Sequence, residues 1–191
     1  MKRHLTMKTS IPLIALAVLL GSAAAGTARA QDDTRLVVVQ DESSTELRIE
    51  ANLKTAHHMV VSEKRNGDDL WLDLPMKGPP MPGYHIVIDT QALNKGNGGA
   101  ITERGIRIQL ETGIKVSDPR HRAAVLEVIN DMNRGKVFCS AYIDADTEVT
   151  LDWTLNILDP AGLDVEYVYD IVARETKLWG ELYPQVAAAM Q

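Results

Sequence analysis

Hydrophobic and polar residues alternate along several stretches of the chain, which is the pattern of β-strands with one buried face. The clearest alternation is at 149–157, where valine, leucine, tryptophan and isoleucine at every second position oppose threonine, aspartate and asparagine. Similar alternation at 45–53, 69–74 and 106–110 predicts three more strands. Shorter apolar or β-branched runs predict a further group of strands. They are 35–40, 59–62, 84–89 and 136–143.

Helical spacing replaces this alternation in a stretch that begins at Ser117-Asp118-Pro119. A capping side chain followed by proline in the first turn is typical of a helix start. Val125, Ile129 and Met132 then recur at intervals of four and three residues, which places them on one buried stripe. Gly135 is expected to end the helix, because glycine accepts the left-handed conformation found at helix C-termini.

A final helix is predicted after Asp164, whose side chain is suited to cap it. Pro184 is expected to end this helix, because proline lacks the N–H that would continue the hydrogen-bond ladder. Apolar residues at helical spacing form the predicted buried stripe of the helix. They are Val165, Val168, Val172, Trp179 and Leu182.

Two stretches rich in proline or glycine separate the predicted elements. Residues 75–83 are expected to interrupt regular structure, and residues 94–99 are expected to form a loop. The two strands within 137–157 are too close in sequence for a crossover connection, so they are predicted to form an antiparallel hairpin. Strands followed by helix, hairpin and helix indicate an α+β domain, in which two helices pack on one face of an antiparallel sheet.

The first thirty residues have the three parts of a secretory signal peptide. Four basic residues and no acidic ones accompany an apolar core that begins at Ile11, and Ala28-Arg29-Ala30 fits a small-x-small cleavage site. The apolar core is shorter than the roughly 20 residues that a membrane span requires, so cleavage near Ala30 is favoured over a retained anchor. Met1 and Met7 are alternative start residues. We therefore expect a mature protein that is periplasmic or secreted.

The charge balance argues against several classes of partner. Removal of the four basic leader residues changes the formal net charge from −6 to −10. Such a field repels nucleic-acid phosphates and anionic membrane surfaces, so neither is an expected partner. The single cysteine, Cys139, has no partner for an internal disulfide. We interpret it as a small buried residue rather than a nucleophile.

Residues 105–184 carry a pattern that resembles a known family. A strand, GIRIQLETGI, leads to a helix that ends in Asn130-Asp131-Met132-Asn133-Arg134. The next strand contains Phe138 and Tyr142 before an acidic turn, and an alternating strand, VTLDWTLNI, precedes a long terminal helix. This order is similar to the YbjN-like family of bacterial sensory transduction regulators. The resemblance implies a fold like that of type III secretion chaperones, and a protein-binding or regulatory module without catalytic residues.

The domain expected after the predicted signal peptide at 1–30 has two parts. Residues 31–104 are expected to form a strand-rich first part with proline- and glycine-rich loops, and residues 105–191 are the region that resembles the family. Members of the family often open with a helix, whereas the alternation at 45–53 predicts a strand in this chain.

Four residues are candidates for a site or a structural motif. Trp71 opposes three leucines on its predicted strand, so it lies on a second buried face or is exposed, and we interpret it as a partner-contact residue. Asn130 and Asn133 stand near a helix end, where amides are suited to bond freed backbone groups or to fix the following strand, with ligand recognition as the alternative. Tyr142 belongs to the structural motif by the family resemblance.

Metal-binding and catalytic patterns in the sequence are weak. His57 and His58 are adjacent, so on a strand they point to opposite faces and chelate poorly. Asp144, Asp146 and Glu148 resemble the start of a calcium loop, but the glycine and the final glutamate that such a loop needs are missing. The sequence contains no catalytic-serine, phosphate-loop or dinucleotide motif. We therefore expect no metal, no cofactor and no enzymatic activity.

Three functional hypotheses follow from the sequence. The leading one is a non-catalytic periplasmic module that holds another polypeptide, or a second copy of itself as a homodimer. The alternative is a periplasmic enzyme or small-ligand-binding protein with a cleft between the proline-rich segment and the sheet, recognisable by a deep polar pocket that gathers His57, His85 or several carboxylates. The third is an envelope protein with a structural role. Stable membrane insertion after cleavage is not expected in any of them.

Overall fold

Eight strands and three helices follow one another in the part of the chain that the computed structural model describes. This part comprises residues 34–37, 40–78, 81–96, 98–135, 139–158 and 161–191, and the predicted leader lies outside it. The strands are β1 (Arg35–Leu36), β2 (Ser62–Asn66), β3 (Asp69–Gly78), β4 (Met81–Lys95), β5 (Ile101–Lys115), β6 (Ser140–Ile143), β7 (Glu148–Leu158) and β8 (Leu163–Asp164). The helices are α1 (Glu42–Thr55), α2 (Pro119–Gly135) and α3 (Glu166–Ala189).

Six of the strands form one antiparallel sheet in the order β2-β3-β4-β5-β7-β6, and β1 pairs with β8 separately. The register aligns the alternating apolar residues across the sheet. Leu72 lies opposite Ile88, and Ile88 lies opposite Ile108. Leu110 is similarly aligned with Leu151. These residues therefore share one face, which forms the core together with the helices. The predicted α+β class and the predicted β6–β7 hairpin are confirmed.

The predicted buried stripes of the second half are present in the structure. Val125, Ile129 and Met132 are the buried residues of α2, as the sequence pattern indicates. On α3, Trp179 and the valine and leucine residues of the stripe are buried, and the Trp179 side chain has no exposed area. Asp164 accepts a hydrogen bond from the backbone N–H of Glu166 at 3.1 Å, which anchors the first turn of α3.

The stretch 45–53, predicted as a strand, is instead part of α1, so three described helices rather than two accompany the sheet. The Asp41 side chain caps α1 by accepting the backbone N–H of Ser44 at 2.7 Å. The alternation is misleading because Ile49 and Leu53 are four residues apart, and this spacing fits both the two-residue period of a strand and the 3.6-residue period of a helix. Leu47 distinguishes them, since a strand would bury it and in α1 it is 42% exposed. The buried residues that complete the helical stripe are polar, which hides it.

The proline-rich stretch 75–83 is predicted to interrupt regular structure, and that prediction is wrong for most of the stretch. The pairing of β3 with β4 is irregular only between Met76 and Gly78, and residues 79 and 80 lie outside the described part. β3 continues to Gly78 and β4 begins at Met81. The prolines are tolerated because Pro75 lies beyond the last pairing of β3 with β2, and Pro82 precedes the first pairing of β4 with β5. Each proline is therefore at a local edge, where no second neighbouring strand needs its missing N–H.

The remaining predicted boundaries are corrected in smaller ways. Pro184 does not end α3, which continues to Ala189 and buries Val186 completely. The run at 59–62 is not a strand, because β2 starts only at Ser62. The predicted first strand is reduced to β1, and residues 38 and 39 lie outside the described part. Within the described residues, no helix combines the length and the hydropathy that a membrane crossing needs.

Candidate functional site

The second face of the large sheet carries mainly polar side chains and one tryptophan. Its residues occupy the positions between the buried apolar residues, and we call this surface the open face. The register places Lys64 opposite Trp71 on one side of the sheet and Asp89 opposite Arg107 in its centre. The open face is defined by Lys64, Trp71, Asp73, His85, Val87, Asp89, Arg107, Gln109, Glu111, Tyr142 and Asp152.

Trp71 stands between two cavities of the open face. The first cavity has a volume of about 410 Å³, and its walls include Trp71 and the carboxyl groups of Glu42, Asp69 and Asp89. The second has a volume of about 520 Å³ and contains Trp71 and His85. The tryptophan is half-buried, so one side of it is supported by the sheet while the rest remains accessible. From the sequence, Trp71 could lie on a second buried face or be exposed. In the structure it is half-buried and lines both cavities.

Arg107 is held by a network that spans three strands of the open face. Its Nε and Nη2 atoms donate to Oδ2 of Asp152 at 2.9 and 2.6 Å. Nη2 also donates to the hydroxyl of Tyr142 at 3.0 Å, and this hydroxyl lies 3.3 Å from the same Asp152 oxygen. The hydrogen bonds to Asp152 raise the pKa of Arg107. Tyr142, known from the sequence only as a motif residue, thus helps to fix a cation of the first cavity.

The second cavity has its own cluster of charges. Nδ1 of His85 lies 2.7 Å from Oδ1 of Asp73, and Nζ of Lys64 lies 3.6 Å from Oδ2 of the same carboxylate. Burial raises the pKa of Glu111, and the nearby carboxylate of Glu148 adds to the effect. His85 therefore lines a cavity together with two carboxylates, those of Asp73 and Glu111, and the presence of His85 in a polar pocket is one of the features by which the small-ligand hypothesis is recognised.

The carboxyl groups of the first cavity differ in how they are neutralised. Oε1 of Glu42 lies 3.1 Å from Nη1 of the buried Arg104 and accepts the backbone N–H of Ala92 at 3.2 Å. Within the described part of the chain, no cationic side chain lies within 4.0 Å of Asp69 or Asp89. Burial is the largest cause that raises the pKa of Asp89. The carboxylates of Glu42 and Asp69 raise it further, and the backbone N–H of Thr90 and the charge of Arg107 oppose this rise without reversing it.

Glu46 of α1 lies in the core beside Thr90, a residue that lines the first cavity. Its Oε1 accepts hydrogen bonds from the backbone N–H and the hydroxyl of Thr90 at 3.0 and 3.1 Å. Its Oε2 is buried and has no hydrogen-bond partner among the described residues. Burial raises the pKa of Glu46 to about 7 against the opposing effect of these hydrogen bonds. Glu46 thus connects α1 with the wall of the first cavity.

The two asparagines of the sequence motif have different environments. Asn133 donates from Nδ2 to the carbonyl of Ala141 at 2.8 Å, and its Oδ1 accepts the N–H of Ala141 at 2.9 Å. Both contacts connect the end of α2 with β6, which is one of the two outer strands of the sheet. Asn130 is exposed on α2, and within the described residues no hydrogen bond of its side chain is found. Neither asparagine lines the two cavities.

The weaker candidates have structural surroundings. Nε2 of His57 lies 2.9 Å from Oε2 of Glu166, and the His57 ring stacks on Tyr169 with centroids 3.5 Å apart. Asp144 accepts the N–H of Glu148 at 2.8 Å within its turn. Burial raises the pKa of the Cys139 thiol to about 12, which disfavours a nucleophilic thiolate. Among the described residues, no cluster of His, Cys, Asp or Glu has the arrangement of a metal site.

Sequence reasoning missed most residues of the first cavity. Glu42 was missed because the stretch that follows it was predicted as a strand. Asp69, Asp89 and Arg107 stand at polar positions between apolar ones, and this signal identifies them as residues of the outer face. Their proximity depends on the register between strands distant in sequence, which only the structure provides.

Two comparisons with known proteins bear on this geometry. The family described as "YbjN: Putative bacterial sensory transduction regulator" matches residues 102–173. The match begins in β5, passes through α2, β6 and β7, and ends in the first part of α3. No curated protein that was compared with the chain matches it. The resemblance expected from the sequence is confirmed over residues 102–173, which match the model of this family.

Proposed function

We propose that the protein is an exported, non-catalytic module that binds another polypeptide through the open face of its sheet. The observation that carries this proposal is Trp71, a half-buried aromatic residue between two cavities on the face opposite the core. Tryptophan is enriched among the residues that dominate the binding energy of protein interfaces. The description of the family as a sensory regulator also favours a partner over a turnover reaction.

The fixed geometry of the open face supports a recognition surface. Arg107, Asp152 and Tyr142 hold one another by hydrogen bonds of 2.6 to 3.3 Å, and Asp73 is bonded to His85. Side chains held in this way lose little conformational freedom when a partner binds, so less of the binding energy is spent on ordering them. Such preorganisation is expected of a surface that recognises a partner repeatedly.

Cross-linking at Trp71 tests the proposed surface in cells. A photoreactive phenylalanine analogue at position 71 should yield a discrete cross-linked product in the envelope fraction. The same analogue at Tyr167, which is 56% exposed on α3, provides the control. A product that forms from position 71 and not from position 167 supports partner binding through the open face. A product of twice the chain mass identifies a second copy of the chain as the partner. Equal products from both positions, or none from position 71, would contradict the proposal.

Export is proposed from the signal-peptide pattern of residues 1–30. Mass spectrometry of the chain recovered from a periplasmic fraction should find an N-terminus at Gln31. A chain that retains Met1 or Met7 and stays in the cytosol would contradict this proposal. Export and partner binding are tested separately, because the cross-linking result does not depend on the position of the N-terminus.

A second candidate function is the binding of a small ligand in the first cavity. Its volume of about 410 Å³ is within the range of small-molecule sites, and it contains the several carboxylates that this hypothesis requires. A ligand that binds the folded protein raises its apparent stability. A thermal-shift panel of metals and metabolites should then show stabilisation that Trp71→Ala abolishes. A panel without any stabilising compound would favour the polypeptide partner.

A further inference from the structure

The first cavity is biased toward positively charged ligands. Asp69 and Asp89 line it, and within the described part of the chain neither has a cationic side chain within 4.0 Å. Two carboxylates that share a partly buried cavity repel each other, and a positive charge placed between them removes this cost. The mature chain adds a field of the same sign, because its formal net charge after loss of the leader is −10.

The cations near this cavity are already engaged. Arg107 lines the cavity, but its Nε and Nη2 atoms point into the bonds with Asp152 and Tyr142. Arg104 does not line the cavity, is only 2% exposed and forms an ion pair with Glu42, although its Nε has no hydrogen-bond partner among the described residues. An anionic ligand would therefore compete with existing ion pairs and would also meet Asp69 and Asp89. The cavity is unsuited to phosphate or carboxylate groups for this reason.

The other walls of the cavity suit an organic cation. Trp71 presents an aromatic ring, and the face of such a ring attracts a guanidinium or ammonium group placed over it. The amide groups of Asn66 and Gln109 add hydrogen-bond acceptors beside the carboxylates. Aromatic, amide and carboxylate walls together fit the aliphatic stem and charged end of an arginine or lysine side chain better than a bare metal ion.

We infer that the first cavity binds an arginine or lysine side chain from a basic segment of the partner polypeptide. The inference rests on the proposed function and adds the chemistry of the partner. A polypeptide is favoured over a free amine because Trp71 also borders the second cavity, so an occupant that continues past the tryptophan contacts both. A small free amine would fill only the first.

Peptide binding to the full mature protein tests the inference. The probes are fluorescent ten-residue peptides that differ at one central position, which is arginine, its uncharged analogue citrulline, or glutamate. Anisotropy at 20 and 300 mM NaCl should show at least tenfold tighter binding of the arginine peptide, with the preference reduced at the higher salt concentration. Equal affinity for the arginine and citrulline peptides would overturn the inference.

Matched variants locate the binding. Asp69→Asn changes an exposed residue at the start of β3, and Asp89→Asn changes a half-buried one. Each should weaken the arginine peptide about tenfold and leave the citrulline peptide within about twofold. Glu127→Gln, on the exposed surface of α2, removes the same charge elsewhere and should leave affinity within about twofold. Should Asp89→Asn fail to fold, Asp69→Asn alone decides. If Glu127→Gln weakens binding of the arginine peptide as much as the two aspartate variants do, the preference for arginine arises from net charge, and the first cavity is not the binding site.

Two further outcomes separate this inference from the proposed function. Spermidine that binds as tightly as the arginine peptide, with the same loss in Asp69→Asn, would show a polyamine site and overturn the polypeptide assignment. A discrete cross-link from position 71, combined with no preference for the arginine peptide, would leave the open face as the partner surface and refute only its cationic selectivity. The absence of any discrete cross-linked product from position 71 would refute the proposed function itself.

Discussion

Asn133 satisfies both backbone groups of one residue on an outer strand of the sheet. Its amide accepts the N–H of Ala141 and donates to the carbonyl of the same residue, as a neighbouring strand would. An outer strand with unpaired backbone groups is a template for unwanted pairing. The Asn133 amide therefore stabilises β6 and covers part of this edge. The open face, rather than the β6 edge, is consequently the better surface for a partner.

The asparagine pair provides a test at this scale. Asn133→Ala should lower the free energy of unfolding by about 1 to 2 kcal/mol, because two backbone hydrogen bonds of Ala141 lose their partner. Asn133→Asp should be at least as damaging, since its carboxylate would face the Ala141 carbonyl oxygen. Asn130→Ala, at an exposed position of the same helix, should stay within about 0.5 kcal/mol. Urea denaturation measures all three.

Amide hydrogen exchange gives an independent check of the same contact. The Ala141 N–H should exchange faster in Asn133→Ala than in the unchanged protein, and should be unaffected in Asn130→Ala. Equal stability of the two alanine variants would mean that Asn133 contributes no more than an exposed residue. The structural interpretation of its two hydrogen bonds would then be wrong.

At the element scale, sequence patterns identified strands well and failed where two periodicities coincide. The strands around Leu72, Ile108 and Leu151 were predicted because their alternate positions are unambiguously apolar. The helix α1 was missed because Thr45, Glu46 and Glu50 are buried, and polar residues are not expected on a core stripe. Trp71 could be identified as an outward position from the same alternation. The proximity of the carboxylates to Trp71 could not be predicted, because the spacing of residues within one strand does not determine the register between strands.

Leu47 and Ile49 decide experimentally between the two interpretations of α1. A strand would place both on its buried face, whereas the helix exposes 42% of Leu47 and none of Ile49. Ile49→Ala should therefore lower the free energy of unfolding by about 2 to 5 kcal/mol through a core cavity. Leu47→Ala should change it by about 0.5 kcal/mol or less. Similar losses for both variants would favour the strand and contradict α1.

The continuation of α3 beyond Pro184 can be tested with two valines. Val186 has no exposed area, whereas Val60 is 68% exposed in the segment before β2. Val186→Ala should lower the free energy of unfolding by about 2 kcal/mol, because a fully buried valine side chain is worth about this amount. Val60→Ala should have little effect. A neutral Val186→Ala, measured by urea denaturation, would mean that the helix ends at the proline as the sequence indicated.

At the scale of the whole molecule, the domain separates an apolar face from a charged one and places several acidic groups within its core. Glu175 of α3 has no exposed area, and neither of its carboxylate oxygens has a hydrogen-bond partner among the described residues. Burial raises the pKa of Glu175 to about 9, and the charge of Asp152 adds to this effect. Glu175 is therefore protonated at neutral pH. Together with Glu46, whose pKa is about 7, it makes folding depend on pH.

The direction of this dependence follows from the raised pKa values. Below about pH 4.5 both carboxyls are protonated in the folded and unfolded chains, so their contribution to stability is fully present. As the pH rises, the unfolded chain ionises first, and stability falls until the pH passes the folded values of about 7 and about 9. Glu166 acts in the opposite direction, because hydrogen bonds from Asn52 and His57 lower its pKa, and its contribution is lost in acid.

We therefore expect the protein to be more stable at pH 5 than at pH 8. Between its unfolded and folded pKa values, each group with a raised pKa lowers the free energy of unfolding by up to about 1.4 kcal/mol per pH unit. Glu175→Gln should flatten the decline between pH 5 and 8 and stabilise the protein most at pH 8. Glu127→Gln, the same substitution at an exposed position, should shift stability without changing the slope. Urea denaturation at pH 5, 6.5 and 8 measures the effect. Stability that rises steadily from pH 5 to 8, or an unchanged slope in Glu175→Gln, would show that Glu175 is ionised in the folded core.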